Sequence, residues 1–187
     1  YPDDNELKLV MKGILDRKIV IYQGSLANDR SISPLVKACS KTQDVFQLVI
    51  MGRDPEERIE GFKKICPTLI YIPWVVPPDH LKITSFARIG VAFYDTDCLN
   101  SIYCAPNKIW EYSGFGIPVL GQNIPGLRDT IEKESFGKCV EIDDPSEIVK
   151  ALIEIEENYD YYSKNAIKFY CSKDFTECVS NVLSKLN

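Results

Sequence analysis

Two side chains one helical turn apart, Lys108 and Glu111, carry the clearest chemistry in this chain. They lie within residues 106–121, P-N-K-I-W-E-Y-S-G-F-G-I-P-V-L-G. A cation and a carboxylate three positions apart share one helix face. They stand near a helix start, where unpaired N–H groups and the helix dipole favour anions. The lysine is placed to hold a phosphate. The ionised glutamate, which can only accept hydrogen bonds, is placed to take both hydroxyls of a ribose. The pair therefore points to a nucleotide-sugar site. The competing reading is a solvated i,i+3 ion pair worth about 0.2–0.5 kcal/mol.

The local pattern supports a helix that stops sharply. Pro106 suits a first turn, where its missing N–H would be unpaired in any case. Ile109, Tyr112 and Ser113 follow at helical spacing, and Cys104 and Ala105 are expected to add amide donors to the anion site. Gly114 and Gly116 end the helix, and I-P-V-L at 117–120 enters a buried strand.

Other candidates lie elsewhere. G-S-L-A-N-D-R at 24–30 follows a run that reads as a strand. There Gly24 permits close approach of a ligand, and Arg30 either grips phosphate oxygens or faces solvent beyond a tight turn. Trp74, between Pro73 and Val75, is placed either to stack on a base or to fill the core. Asp95, Asp97, Asn100 and Tyr103 are placed either to meet sugar hydroxyls or to solvate a loop. His80, beside Asp79, reads as a surface helix residue rather than a catalytic one, and the cluster Tyr159, Asp160, Tyr161, Tyr162 as helix packing rather than a carbohydrate platform. Seven cysteines without a C-x-x-C pair read as reduced thiols of a cytosolic compartment. With one histidine and no ligand cluster, no metal site is expected.

The elements that must position these residues follow from hydrophobic period. Residues 4–16 read as an amphipathic helix through Leu7, Val10, Met11 and Ile14. Short apolar runs at 18–23, 46–51, 68–72, 89–94, 117–120 and 138–142 read as strands. Helices are expected over 33–40, 55–65, 146–157, 159–170 and 174–186. Asp79 is expected to cap a short helix reaching Phe86, residues 95–105 to form a polar loop, and a further short helix to run through Ile131. This alternation predicts an α/β, Rossmann-like, doubly wound parallel sheet of about six strands with helices on both faces. Such sheets bind ligands beyond the carboxyl ends of their strands, at the point where strand order reverses. Function should then lie in the segments 24–30, 52–53, 73–76, 95–111 and 121–127.

At 187 residues one domain is expected, burying about 70% of its unfolded surface. A net charge of −5 and a pI of about 5.0 exclude a general nucleic-acid surface. No apolar run approaches the ~18 residues of a membrane span. A start at Tyr1 is what a piece of a longer protein would show.

Taken together, these residues resemble the C-terminal, donor-binding domain of GT-B glycosyltransferases of the large retaining family 4 type. The resemblance spans nearly the whole chain. It rests on G-S-L with Arg30 following, V-P-P-D-H-L at 76–81, P-N-K-I-W-E-Y-S-G-F-G-I-P-V-L at 106–120, and D-D-P-S-E-I-V-K-A-L at 143–152. Its flavour is that of capsule and lipopolysaccharide biosynthesis. It implies that Glu111 is the second glutamate of the family's E-x7-E motif, holding the ribose, and that Arg30 meets the donor diphosphate. Ser25 stands where many members have a second cation, a contact that Lys108 would supply. Tyr103 occupies the place of the first glutamate, which contacts the donor sugar, so Asp95, Asp97 or Asn100 would substitute.

The implied donor is a UDP- or GDP-linked sugar, with no cofactor. The acceptor, a glycan or lipid-linked molecule, and most catalytic groups belong to an N-terminal domain absent from this sequence. The chain is thus expected to bind nucleotide without transferring sugar, in the cytoplasm, with peripheral inner-membrane association in the full protein. Two other classes compete: a UDP-sugar 2-epimerase of the same architecture, and a flavodoxin- or receiver-like module. The 106–120 motif favours transfer, and a receiver would carry an acidic cluster where this chain has Gly24-Ser25-Leu26.

Overall fold

The computed structural model of the chain describes residues 17–26, 32–94, 96, 98–104, 106–172, 180 and 183–184. The expected helices at 4–16 and 174–186 fall outside the described residues, the second almost entirely. Six strands form one sheet: β1 (Lys18–Gln23), β2 (Phe46–Met51), β3 (Ile70–Ile72), β4 (Ile89–Ala92), β5 (Val119–Gln122) and β6 (Gly137–Val140). Their order is β3-β2-β1-β4-β5-β6 and every pairing is parallel. Eight helices are described: α1 (Ser33–Ser40), α2 (Ile59–Ile65), α3 (His80–Thr84), α4 (Leu99–Ile102), α5 (Asn107–Gly114), α6 (Pro125–Ile131), α7 (Pro145–Glu157) and α8 (Tyr159–Cys171).

The strands are short and apolar because both faces of the sheet are covered. Val20 and Tyr22 of β1 pack with Leu35 and Val36 of α1 and Ile148, Leu152 and Ile155 of α7. Ile19 and Ile21, pointing the other way, pack with Ile109 and Tyr112 of α5, Leu127 of α6 and Phe169 of α8. Asp144 caps α7 by accepting from the Ser146 amide at 2.8 Å, as its type predicts.

Several expected boundaries move, each for a local reason. Helix α2 starts at Ile59 rather than 55, because Glu57 takes a positive φ of 54° and the Asp54 carboxylate accepts from the Arg58 and Ile59 amides at 3.0 and 2.9 Å. Strand β3 starts at Ile70, since the Thr68 carbonyl is taken by the Gln47 side chain and the Leu69 amide turns back onto Cys66. Strand β4 ends at Ala92, because the Tyr94 amide donates to the Gln122 side chain at 2.9 Å. Asp79 does not cap α3; its carboxylate pairs with Lys82 at 2.9 Å. The expected polar loop contains the exposed single-turn helix α4. Strand β5 enters the sheet at Val119 and runs on to Gln122.

Candidate functional site

Strand order reverses between β1 and β4, and the chain leaves the carboxyl ends of both beside the same opening. Two glycines let the loops beside it approach each other closely. Gly24 and Gly52, after β1 and β2, have φ of 145° and 149°, and a Cβ on Gly52 would lie 2.0 Å from the Gly24 carbonyl oxygen. Helix α5 enters from the other side with Pro106 in extended conformation as its N-cap. The helix begins at Asn107; of the two expected amide donors before it, Cys104 is half-buried and Ala105 lies outside the described residues.

Gly90 seats α5. It lets the Tyr112 ring lie flat on β4, where a Cβ would come within 2.4 Å of the ring. Burial pushes the Tyr112 phenol well above its usual range. The opposite flank of α5 is held by Trp110 stacked on Phe169 of α8 at 4.7 Å.

The resulting cleft holds about 470 Å³. Its walls are Gln23, Gly24 and Ser25 after β1, Gly52 and Arg53 after β2, Trp74 after β3, His80 of α3, Tyr94 after β4, and Lys108 and Glu111 of α5. A volume of this size suits a small ligand. Lys108 and Glu111 are not a solvated pair. Lys108 is only 8% exposed, with Nζ 4.7 Å from the Tyr22 ring centre and 4.9 Å from that of Tyr94. It places a positive charge under the cleft floor, against the negative faces of two rings.

Glu111 is held on both carboxylate oxygens. Gln23 Nε2 donates to one, and His80 Nε2 lies 3.4 Å from the other. Gln23 is fixed in turn by Thr84, whose hydroxyl donates to Gln23 Oε1 at 2.7 Å. The expectation that His80 is a surface helix residue is therefore corrected: its side chain is 18% exposed and faces Glu111. Trp74 does not fill the core. It is 50% exposed, with the Arg53 guanidinium 4.6 Å above its ring, and lines the cleft.

Arg30, Asp95 and Asp97 lie outside the described residues. Asn100 and Tyr103 are exposed on and just after α4, and neither lines the cleft. Of the tyrosine cluster, Tyr162 is buried and Tyr159 lies under the Arg88 guanidinium, while Tyr161 is 58% exposed. Gln23 lines the cleft and Thr84 supports it from the buried side; neither was singled out by type. The available signal was Gln23 itself: a polar residue closing the run K-I-V-I-Y-Q, where burial obliges an amide to find partners.

Strand order, parallel pairing and a ligand-sized cleft at the switch point define a Rossmann-like α/β domain. More narrowly, the chain belongs to the family of glycosyl transferases group 1, which it matches over residues 17–158. No curated protein matches it by sequence.

Among solved structures it is similar to sucrose-phosphate synthase from Thermosynechococcus elongatus, at TM-score 0.74 and 21% identity over 100% of this chain and 48% of that one. It is also similar to WaaG, a glycosyltransferase involved in lipopolysaccharide biosynthesis, at TM-score 0.69 and 15% identity over 93% of this chain and 48% of that one. A third similar structure is HepE from Anabaena in complex with UDP and glucose, at TM-score 0.75 and 10% identity over 100% of this chain and 52% of that one. At these identities the likeness is one of fold: the chain has the architecture of one half of a GT-B glycosyltransferase and spans about half the length of these structures. Among the described residues, no helix is long and apolar enough to cross a membrane.

Proposed function

We infer that this chain is the donor-binding half of a retaining glycosyltransferase that moves a sugar from a UDP- or GDP-linked donor to a glycan or lipid-linked acceptor in cell-surface polysaccharide synthesis. The observation that carries this reading is Glu111: a carboxylate held on both oxygens at the switch-point cleft, one turn from a buried lysine. The HepE structure, in complex with UDP and glucose, supports the choice of ligand class.

In this reading Glu111 accepts from the ribose 2′- and 3′-hydroxyls, and the base lies on Trp74. The diphosphate crosses the glycine-lined opening above Lys108 and the N-terminus of α5. In transfer, the bond between the anomeric carbon and the diphosphate oxygen breaks. The acceptor oxygen bonds to that carbon and releases its proton, and the nucleoside diphosphate departs with the added negative charge. A fixed cation and a helix N-terminus facing that diphosphate favour the charge-separated state without metal assistance. The acceptor and the remaining catalytic groups come from an N-terminal half outside residues 1–187, so this chain alone binds without transferring. The full protein works in the cytoplasm, peripherally at the inner membrane face.

Calorimetric titration with UDP, GDP and ADP is the test. Binding by at least one is expected, weakened by about 1–3 kcal/mol in Glu111→Ala through loss of a charge-assisted acceptor. No heat from any of the three, or unchanged affinity in the variant, overturns the reading.

A further inference from the structure

The ring of His80 is the one part of the Glu111 contact set that comes from α3, and its two nitrogens stand in opposite situations. Nε2 faces Glu111 Oε1 at 3.4 Å. Nδ1 is shut off from solvent and has no hydrogen-bond partner among the described residues. A neutral imidazole carries one N–H and one bare acceptor. An ionised carboxylate opposite Nε2 demands the proton there, because a lone pair facing it would repel. Nδ1 then remains a dry acceptor without a hydrogen-bond partner among the described residues, a cost set against the contact at Nε2. The contact is longer than the usual 2.7–3.2 Å, so its worth comes from an N–H facing a charge in a half-buried place rather than from ideal geometry.

Resting on the reading of Glu111 as the ribose acceptor, we propose that His80 is a positioning residue that sets the angle of the Glu111 carboxylate for a ribose diol. Gln23 fixes Oε2 from β1, and Thr84 locks the Gln23 amide so that its nitrogen points at the carboxylate. His80 fixes Oε1 from α3. With one donor facing each oxygen, rotation of the carboxylate about its terminal bond is opposed from both sides. Each oxygen keeps a second lone pair, and these two are the acceptors a cis-diol requires. Thr84 and His80 lie on the same short helix, so α3 braces both ends of the Glu111 grip. The helix follows directly on the segment bearing Trp74, which ties the ribose grip to the base side of the cleft.

The test is calorimetry on the 187-residue chain with UDP and GDP, taking whichever binds more tightly, beside its 2′-deoxy counterpart. His80→Phe keeps the ring volume without the donor. It should weaken binding of the ribonucleotide by about three- to tenfold while moving the 2′-deoxynucleotide less than about twofold. His80→Gln, whose amide nitrogen reaches the Nε2 position, should restore most of the affinity. In a Glu111→Ala background, His80→Phe should have no further effect.

Equal weakening of the ribo- and deoxynucleotide, or a persisting effect without Glu111, shows a merely structural role and overturns the proposal. If Glu111→Ala weakens binding and His80→Phe does not, the proposal falls while the nucleotide-binding reading stands. If Glu111→Ala changes nothing, both fall. Should His80→Phe fail to fold, His80→Asn, whose amide reaches only the Nδ1 position, takes its place against His80→Gln with the same expectations.

Discussion

Replacing Gly90 by alanine tests how the site is held rather than what it binds. Gly90 lies in β4, opposite Ile21 on one side and Val119 on the other. A Cβ there would sit 2.4, 2.5 and 2.6 Å from three carbons of the Tyr112 ring. Carbon atoms rest at about 3.5–4.0 Å, so ring and methyl must separate by about 1 Å. The ring has little room to yield: Tyr112 is fully buried, and its hydroxyl lies 3.4 Å from the Val91 carbonyl oxygen. The displacement therefore passes into α5, which carries both Lys108 and Glu111.

Overpacking of this kind costs about 1–3 kcal/mol. For a domain of this size each kcal/mol lowers Tm by about 2–4 °C, so a fall of about 2–12 °C is expected in thermal unfolding. Lifting Glu111 by about 1 Å also takes it from its two donors and should weaken nucleotide binding by about tenfold. Tyr112→Leu removes the atoms that collide. In that background Gly90→Ala should lose most of its effect on Tm, a coupling of about 0.5–3 kcal/mol in the double-mutant cycle. A Gly90→Ala variant with wild-type Tm and affinity, or an undiminished effect beside Tyr112→Leu, would refute the argument that this glycine seats the helix.

Three further outcomes follow from single contacts. Lys108→Met keeps the stem between the Tyr22 and Tyr94 rings but removes the charge; it should weaken nucleoside diphosphates by about 10- to 150-fold, leave the nucleoside unaffected, and flatten the salt dependence of binding. Equal losses for nucleoside and diphosphate would place Lys108 away from the phosphates. Trp74→Ala should cost about 1–3 kcal/mol of nucleotide affinity by lost stacking while Tm stays close to wild type, since the ring is half exposed; a large fall in Tm with unchanged affinity would return it to the core.

Glu156 accepts from Arg88 at 2.8 and 3.0 Å and pairs with Lys18 at 2.9 Å. Burial raises its carboxyl, but the hydrogen bonds and charges of Arg88 and Lys18 outweigh that and hold it below its usual value. A depressed folded-state value gives stability that is present above the unfolded value of about 4.3 and lost as pH falls through the folded one. Glu156→Gln should lower Tm at pH 7 by about 2–8 °C, and the gap should narrow as pH falls below the unfolded value towards the depressed folded one. A gap that does not narrow on acidification contradicts the linkage.

The parallel sheet was readable because burial on both faces leaves strands as unbroken apolar runs, and K-I-V-I-Y-Q and F-Q-L-V-I-M fold as read. The strand ends were not, because they depend on side chains from elsewhere: Gln47 takes the Thr68 carbonyl, and Gln122 takes the Tyr94 amide. The same distinction divides the site. Lys108 and Glu111 stand out because their relation is local, three positions on one helix. Their environment is not local. Gln23 is 88 positions from Glu111, His80 is 31 away, and Thr84 is 61 from Gln23.

A histidine next to an aspartate on a five-residue helix carries no pattern of its own, so its part in the site is visible only once β1, α3 and α5 converge. The i,i+3 pair was recognisable without its function being settled by that spacing. The same spacing at Glu60 and Lys63 gives an exposed ion pair at 3.1 Å. What separates the two is burial. Lys108 lies under two rings, and Glu111 is held by an amide and an imidazole, whereas Glu60 and Lys63 meet each other at the surface.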